Sequence, residues 1–144
     1  MNLIFLDASF FMALVSPRDE LYSLANRWQK ILRSHPHSFI TTEFVLLELA
    51  DGLVRHQKVD IVTTMIDNLR IWSALEIIPA DSDWIAQGYS LFRQRTDKEW
   101  GLTDCISFEV MRERQIADAL THDRHFEQAG FRALLRHEPT TNGR

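Results

Sequence analysis

The sequence has little of what stabilises small secreted domains or anchors a chain in a membrane. It contains one cysteine, Cys105, among 144 residues, which excludes an intramolecular disulfide and a zinc site built from several thiolates. A reduced, intracellular environment is the simplest expectation. No apolar run approaches the roughly 18 residues of a membrane span, and no basic segment precedes the first apolar stretch. We therefore expect a cytoplasmic protein without a signal peptide or membrane association.

An excess of positive charge is absent too. The chain has 16 Lys and Arg against 20 Asp and Glu, a formal charge of −4, which argues against a protein that coats nucleic acid by electrostatics alone. If four of the acids formed one metal site, the other 16 would balance the 16 basic residues. The negative excess would then be local, and a bound cation would offset it.

Short apolar runs alternate along the chain with stretches whose apolar residues recur every 3.6 positions. The runs predict strands at 2–6, 38–42, 75–79 and 116–120, and a weaker strand at 132–136. The stretches predict helices over 21–32, 61–72 and 84–92. This alternation is typical of an α/β fold with a parallel sheet covered on both faces. We assign 1–136 to a single domain and 137–144 to a flexible C-terminal tail.

Asp7 lies in the apolar stretch LIFLDASFFMALV, directly after the first predicted strand. Burying a carboxylate there is costly unless a partner or a cation compensates it. The carboxyl ends of parallel strands share one edge of the sheet, where ligands bind. Asp123, in THDRHF, closes another predicted strand, so we expect both carboxylates at that edge. Simpler roles stay open: a helix N-cap for Asp7 and a solvated turn for Asp123.

Two further acids are candidates by position. Asp104, in GLTDCISFEVM, shares an apolar helical stripe with Phe108 and Met111, although an acid in a first helical turn also favours the helix dipole. Glu48, in TTEFVLLELADGL, falls on the polar side of the helical wheel, where a solvated glutamate is the simpler interpretation. Glu43 begins the same helix, and a dipole role suits it better.

In this order and at this spacing, the segments LDAS, LLELADGL, GLTDCISF and THDRHF resemble the PIN domain. The closest likeness is to the single-domain ribonuclease toxins of VapBC toxin–antitoxin pairs. It covers roughly residues 1–136, and its most specific part is LTDCISF followed by a strand and by Thr121, Asp123 and Phe126. The resemblance implies a small α/β/α sandwich with a central parallel sheet of about four to five strands. It also implies endoribonuclease activity that depends on Mg²⁺ or Mn²⁺.

Carried over position by position, the resemblance assigns metal binding and catalysis to Asp7, Glu48, Asp104 and Asp123. The supporting polar residues are Ser9, Thr103 and Thr121. Gly101 stands where the family often has serine, which affects local hydrogen bonding and not the acids. The implied partners are an RNA substrate (transfer, ribosomal or messenger RNA) and a cognate antitoxin protein, and a homodimer is the implied assembly to test.

Hard cations suit these residue types. Mg²⁺ takes oxygen ligands and keeps several waters, so a few carboxylates suffice and neither His nor Cys is required. One or two such ions can activate a water, orient a phosphate and neutralise the leaving oxygen. Without metal, clustered carboxylates repel one another, which predicts raised pKa values. A bound cation would explain why Asp7 is tolerated in an apolar stretch.

Other polar residues give weaker signals. His122 and His125 flank Asp123 and would suit a transition metal, but solvated turn histidines are the simpler interpretation beside an oxygen-rich set. Arg18 and Arg93 are candidates for contacts with RNA phosphates, although a solvated helix face is the simpler interpretation of such residues.

Three alternatives to an antitoxin-controlled ribonuclease stay open. The chain could be a solitary PIN nuclease in RNA processing, or a PIN-like module that binds without catalysis. It could also be a phosphoaspartyl transferase with Asp7 as nucleophile. The transferase pattern requires a second Asp two residues after the first, and this chain has Ser9 there.

Overall fold

The computed structural model describes residues 2–140, in which five parallel strands form one sheet. The strands are β1 (Asn2–Leu6), β2 (His37–Thr42), β3 (Leu75–Ile78), β4 (Asp118–Leu120) and β5 (Arg132–Ala133). Their order across the sheet is β3-β2-β1-β4-β5. All five predicted strands are present, and the parallel pairing confirms the predicted α/β class.

Seven α-helices connect and cover these strands within residues 2–140. They are α1 (Ala8–Leu14), α2 (Tyr22–Arg33), α3 (Glu43–Leu53), α4 (Val59–Ile71), α5 (Ser82–Gln94), α6 (Leu102–Glu113) and α7 (Arg124–Gln128). Contacts link α1 to α2 and α3, and α3 to α4, while α6 contacts both α5 and α7. Because crossovers between parallel strands are right-handed, α1–α4 lie on one face of the sheet and α5–α7 on the other.

The central strands are apolar along their length because helices cover both faces. Ile4, Phe5 and Leu6 of β1, and Ile40 of β2, are each at most 2% exposed. This pattern is typical of strands inside a parallel sheet, whereas a strand with one wet face would alternate apolar and polar residues.

A polar side chain caps the helix that follows β2. The Thr42 hydroxyl accepts from the Val45 amide at 3.1 Å at the start of α3.

Strand β4 begins two residues later than the sequence predicts. The two residues before it belong to the preceding turn, in which Gln115 adopts a left-handed φ of 56°. The Ile116 amide donates to the Met111 carbonyl at 2.8 Å, so this residue closes α6 rather than joining the sheet. Strand β4 therefore pairs with β1 only from Asp118 onward.

The weak strand predicted at 132–136 is shorter than expected. After two strand residues the chain turns into a 3₁₀ helix, Leu134–Arg136. The Leu135 amide donates to the Thr121 carbonyl at 3.0 Å instead of continuing a strand ladder. Leu134 and Leu135 are buried, so burial alone produced the apolar pattern that resembled a strand.

The segment assigned to a flexible tail begins with two residues that contact α2. The Trp28 indole donates to the His137 carbonyl at 2.9 Å. Arg27 pairs with both carboxylate oxygens of Glu138, at 3.0 and 2.7 Å. Residues 141–144 of the predicted tail lie outside the described residues.

A cluster of aromatic rings fixes α6 and α7 against the sheet. The Phe126 ring of α7 lies 4.9 Å from Phe108 of α6 and 6.3 Å from Phe5 of β1, measured between centroids. Trp100, just before α6, packs on Phe108 at 5.1 Å. These rings hold the first turns of both helices in place, and such pairs add stability beyond the area they bury.

Within residues 2–140, no helix is long and apolar enough to cross a bilayer.

The packing of α5 on α6 predicts a large effect of a small substitution. A Cβ at Gly88 would lie 2.4 Å from the Ile106 side chain and 3.0 Å from its backbone nitrogen. Gly88→Ala should therefore lower the free energy of unfolding, because overpacking costs about 1–3 kcal/mol and exceeds the roughly 1 kcal/mol that Ala gains in a helix. Urea denaturation measures this difference.

Gly52→Ala is the matched control, because Gly52 is also helical and a Cβ there would meet only the flexible end of Met12. It should cost less than Gly88→Ala. If Gly88→Ala is as stable as wild type, α5 and α6 are not as closely packed as described.

Candidate active site

The strand order reverses between β1 and β4, and the candidate acids lie at that point. The chain runs from β1 outward through β2 to β3, then returns to β4 and continues to β5. Loops after the neighbouring carboxyl ends of β1 and β4 therefore diverge and leave a crevice, which is where open α/β sheets bind ligands. Asp7 directly follows β1, and Asp123 lies in the loop that follows β4.

Asp7 is 7% exposed and occupies the N-cap position of α1, but its carboxylate makes no capping hydrogen bond. Capping alone thus does not account for it. The pKa of Asp7 is raised to about 6, and burial is the largest cause. A hydrogen bond from Thr121 opposes the rise, and the charges of Asp104 and Asp123 contribute to it.

Hydroxyl groups tie the β1 end of the site to the β4 end. Thr121 Oγ1 donates to Asp7 Oδ2 at 2.8 Å and accepts from the Asp123 amide at 3.0 Å. Ser9 Oγ lies 3.3 Å from Thr121 Oγ1 and accepts from the His122 amide at 3.3 Å. Two of the three predicted supporting residues therefore lie beside the acids, and they orient the Asp7 carboxylate.

Asp104 lies in the first turn of α6 and is partly buried. The Gly101 amide donates to its Oδ2 at 3.3 Å, so the glycine supplies a backbone donor where the family often has serine. Burial raises the pKa of Asp104 most, the Asp123 charge raises it further, and a hydrogen bond with His125 opposes the rise. Thr103 is half-buried, but among residues 2–140 its hydroxyl has no hydrogen bond to any of the four acids.

Glu48 is exposed on α3, as the helical wheel predicts, yet it faces the three aspartates. Partial burial, followed by the charges of Asp7, Asp104 and Asp123, raises the pKa of Glu48 to about 7. Exposure and membership of the cluster are compatible because the crevice is open to solvent.

The neighbouring Glu43 has other partners. Its carboxylate accepts from the Ala80 amide at 2.7 Å and pairs with Arg70 at 3.5 Å. These contacts join α3 to α4 and to the end of β3. Of the two glutamates, Glu48 is the one that the structure brings to the aspartates.

Asp123 caps α7 through its own carboxylate. Its Oδ1 accepts from the His125 amide at 2.9 Å, so this partly solvated residue also has a capping role. The carboxylate is 34% exposed, and it lies in the open part of the crevice. Capping uses one lone pair of one oxygen, which leaves the rest of the group available.

His125 is the residue near the acids that the sequence analysis set aside. Its Nδ1 lies 3.4 Å from Asp104 Oδ2 and 3.3 Å from Asp123 Oδ1. The side chain is 21% exposed, so it is not a solvated turn histidine. The i, i+2 spacing to Asp123 was visible in the sequence, but the approach to Asp104 depends on how α6 packs on α7.

The two arginines proposed to touch RNA are exposed and form no ion pair with the acids within residues 2–140. Arg93 stacks its guanidinium over the Tyr89 ring at 4.9 Å, and Arg18 lies in the segment between α1 and α2. Within residues 2–140, no Lys or Arg forms an ion pair with any of the four acids. The crevice therefore holds negative charge that no Lys or Arg of the described residues neutralises, and His125 is the base beside it.

The donor set fits a divalent metal ion. Four carboxylates offer hard oxygen ligands, and the raised pKa values of Asp7, Glu48 and Asp104 show that burial and neighbouring charges disfavour their ionised forms. Atoms of Asp104, Asp123 and His125 all lie within 4.8 Å of one another, close enough for one ion. A cation at this position would relieve both burial and repulsion.

Comparison with known proteins gives the family. The PIN domain profile matches residues 4–132, and the chain belongs to the PIN domain family. It is 28% identical over 131 residues to the 23S rRNA-specific endonuclease VapC20, found in two strains of Mycobacterium tuberculosis, with 90% of this chain and 95% of that protein covered.

Solved structures agree with this assignment. The crystal structure of Mycobacterium tuberculosis VapC20, a Sarcin-Ricin loop cleaving toxin, superposes with a TM-score of 0.79 and 25% identity, covering 91% of this chain and 98% of that one. VapBC2 from Rickettsia felis, bound to a DNA fragment from its promoter, superposes with a TM-score of 0.60 and 15% identity, covering 88% and 92%. At that identity the second likeness concerns the fold alone.

The raised pKa values predict that the metal-free protein loses stability as the pH rises. The usual carboxyl pKa values are 3.8 and 4.5, while Asp7 has about 6 and Glu48 about 7 when folded. Between these limits the folded state binds more protons than the unfolded state, so the free energy of unfolding falls with increasing pH. Asp7 accounts for on the order of 2–3 kcal/mol, and exposed Glu48 for less because solvent screens it.

Denaturation in EDTA at about pH 5 and about pH 8 measures this decline. Asp7→Asn should flatten it, because the amide does not titrate, and should be no less stable than wild type at the higher pH. The difference between the two proteins is the readout, since contributions that both proteins share cancel. Asp83→Asn, on the exposed surface of α5, should lose stability with rising pH as the wild type does. If the wild type instead gains stability relative to Asp7→Asn as the pH rises, the raised pKa of Asp7 is contradicted.

Proposed function

We propose that this protein is a metal-dependent endoribonuclease that acts as the toxin of a toxin–antitoxin pair. The observation that carries the proposal is the convergence of four carboxylates, from four separate segments, at the switch point of a PIN domain, where no Lys or Arg of the described residues pairs with them. A relative of almost equal length is named a 23S rRNA-specific endonuclease. Among the RNA classes that the sequence suggests, ribosomal RNA is the substrate we propose.

The four acids Asp7, Glu48, Asp104 and Asp123 would hold the cation. A bound Mg²⁺ or Mn²⁺ activates a water molecule and stabilises negative charge on the scissile phosphate and the leaving oxygen. Thr121, which donates to Asp7 at 2.8 Å, fixes that carboxylate before any cation arrives. This arrangement limits the reorganisation required at the moment of reaction.

RNA must approach a crevice that is negatively charged without metal. The phosphate backbone would be repelled by the four acids, so the cation is needed for binding as well as for chemistry. Arg18 and Arg93 are exposed and remain candidates for contacts with phosphates further along the strand. Such contacts position a nucleic acid without selecting its sequence.

The same negative charge suits an antitoxin. A protein segment that places an arginine among the acids would pair with them bidentately and occupy the position of the cation. Because the arginine would take the place of the cation, this inhibition requires no change in the fold of the toxin. The proposed substrate and antitoxin both place the protein in the cytoplasm.

A homodimer is a further part of the proposal. Ile85, Tyr89 and Phe92 follow one another at helical spacing on α5 and are 44%, 46% and 44% exposed. An exposed apolar stripe of this kind is typical of a protein–protein interface. Light scattering should give a mass twice that of the 16.8 kDa chain, and Tyr89→Glu should shift it towards the monomer.

The first functional prediction concerns metal dependence. The purified protein should cleave ribosomal RNA with Mg²⁺ or Mn²⁺ and lose this activity in excess EDTA. Asp104→Asn and Asp123→Asn should each lower the cleavage rate by at least about 100-fold, the upper end of what loss of an outer partner of a metal site costs. Gel analysis of end-labelled RNA measures the rate.

Equal cleavage in EDTA would contradict the metal mechanism, and binding without cleavage would favour a PIN-like binding module. A phosphoryl group trapped on Asp7 would support the transferase alternative.

The second functional prediction separates the two glutamates of α3. Glu48→Gln should lose most of the activity and most of the metal-induced rise in melting temperature, because it removes one charge from the cluster. Glu43→Gln is the matched control and should keep both, since Glu43 contacts Ala80 and Arg70 instead. The reverse result would mean that Glu43 is the site residue.

The third functional prediction tests the toxin role. Expression of the protein alone should arrest growth, and co-expression of the cognate antitoxin should restore it. Asp104→Asn should relieve the arrest at an equal level of folded protein. Normal growth with abundant, active wild-type enzyme would instead favour a solitary PIN nuclease.

A further inference from the structure

His125 lies in the crevice beside two of the acids rather than on the open surface of the protein. Its Nδ1 lies 3.4 Å from Asp104 Oδ2 and 3.3 Å from Asp123 Oδ1, so one nitrogen faces two carboxylates from two helices. Only 21% of the side chain is exposed. The imidazole therefore contributes a third potential ligand atom to the pair of aspartates.

The surrounding structure fixes this position. The backbone amide of His125 donates to the Asp123 carboxylate at 2.9 Å, which begins α7. The next residue, Phe126, is fully buried and packs against Phe108 of α6 and Phe5 of β1. The ring is thus attached to a backbone that cannot move independently of α6, the helix that carries Asp104.

The separations match those between neighbouring ligands of one ion. Adjacent ligands of a six-coordinate cation with bonds of about 2.1 Å lie about 3.0 Å apart. The nitrogen–oxygen distances of 3.3 and 3.4 Å are close to this value, and the three atoms lie within 4.8 Å of one another. The set can close around an ion through small side-chain rotations.

We propose that His125 is a nitrogen ligand of the cation held by Asp104 and Asp123, and that it makes the site prefer Mn²⁺ to Mg²⁺. The proposal rests on the metal site of the proposed function and adds to it a ligand and a selectivity. Both ions favour carboxylate oxygen, but Mn²⁺ is a first-row transition metal and accepts an imidazole nitrogen more readily than the harder Mg²⁺ does. A site of four carboxylates alone would discriminate less between the two ions.

A different role for His125 would be to donate a hydrogen bond to Asp104 and so orient that carboxylate. An orienting residue affects the binding of Mn²⁺ and Mg²⁺ in the same proportion, because both use the Asp104 oxygen. A coordinating nitrogen affects Mn²⁺ selectively and is magnetically coupled to the ion. Metal binding can distinguish the two roles without any measurement of cleavage.

The experiment is pulsed electron paramagnetic resonance of the full chain loaded with Mn²⁺ alone. The wild type should show the nitrogen coupling of a directly bound imidazole. His125→Gln should abolish it, while His122→Gln should retain it, since the contacts of His122 with Ser9 and Arg136 use its backbone. Circular dichroism confirms that each variant is folded, and His125→Asn replaces His125→Gln if the latter is not.

Calorimetry provides the second readout. His125→Gln should weaken Mn²⁺ binding by about 10–100-fold, the range found when a metal site loses a well-placed partner, and Mg²⁺ binding by much less. Mn²⁺ bound without nitrogen coupling, or equal weakening for the two ions, would overturn the proposal while leaving the metal-dependent nuclease intact. Absence of any Mn²⁺ or Mg²⁺ binding would overturn both.

Discussion

Repulsion among four carboxylates is the constraint on which the rest of this structure depends. Asp7, Glu48 and Asp104 all have raised pKa values, and each is raised in part by the charge of a neighbouring acid. The described part of the chain places no arginine or lysine in ion-pair contact with them. Such a cluster lowers the stability of the fold, so the rest of the molecule must supply enough packing to hold it together.

Two devices do this, and both join the β1 side of the site to the β4 side. The rings of Phe5, Phe108 and Phe126 form one apolar contact beneath the acids. Above them, Thr121 and Ser9 link the Asp7 carboxylate to the loop that carries Asp123. The rings resist separation of the helices because separation would expose them to water. The hydroxyl contacts fix the orientation of the carboxylate oxygens.

The sequence predicts the sheet well because apolar runs and helical periodicity report burial directly. It predicts Asp7 and Asp123 at one edge because strand ends share an edge in any parallel sheet. Glu48 is different: its helical wheel describes an exposed residue, which it is, and only the family resemblance placed it with the aspartates. The contact of His125 with Asp104 could not be predicted, because it depends on packing between α6 and α7. The strand expected at 132–136 is limited to Arg132–Ala133, because burial of Leu134 and Leu135 does not specify extended backbone.

The position of β4 in the sheet has a consequence for the order in which the protein is made. This strand pairs beside β1 at the centre of the sheet, yet Thr121 and Asp7, which share a hydrogen bond, are 114 residues apart along the chain. A ribosome must therefore finish most of the polypeptide before the middle of the sheet can close, and contacts of such long range make folding slow. Truncated or nascent chains contain three of the acids without the fourth. The four acids therefore come together in one site only once synthesis of the chain is almost complete.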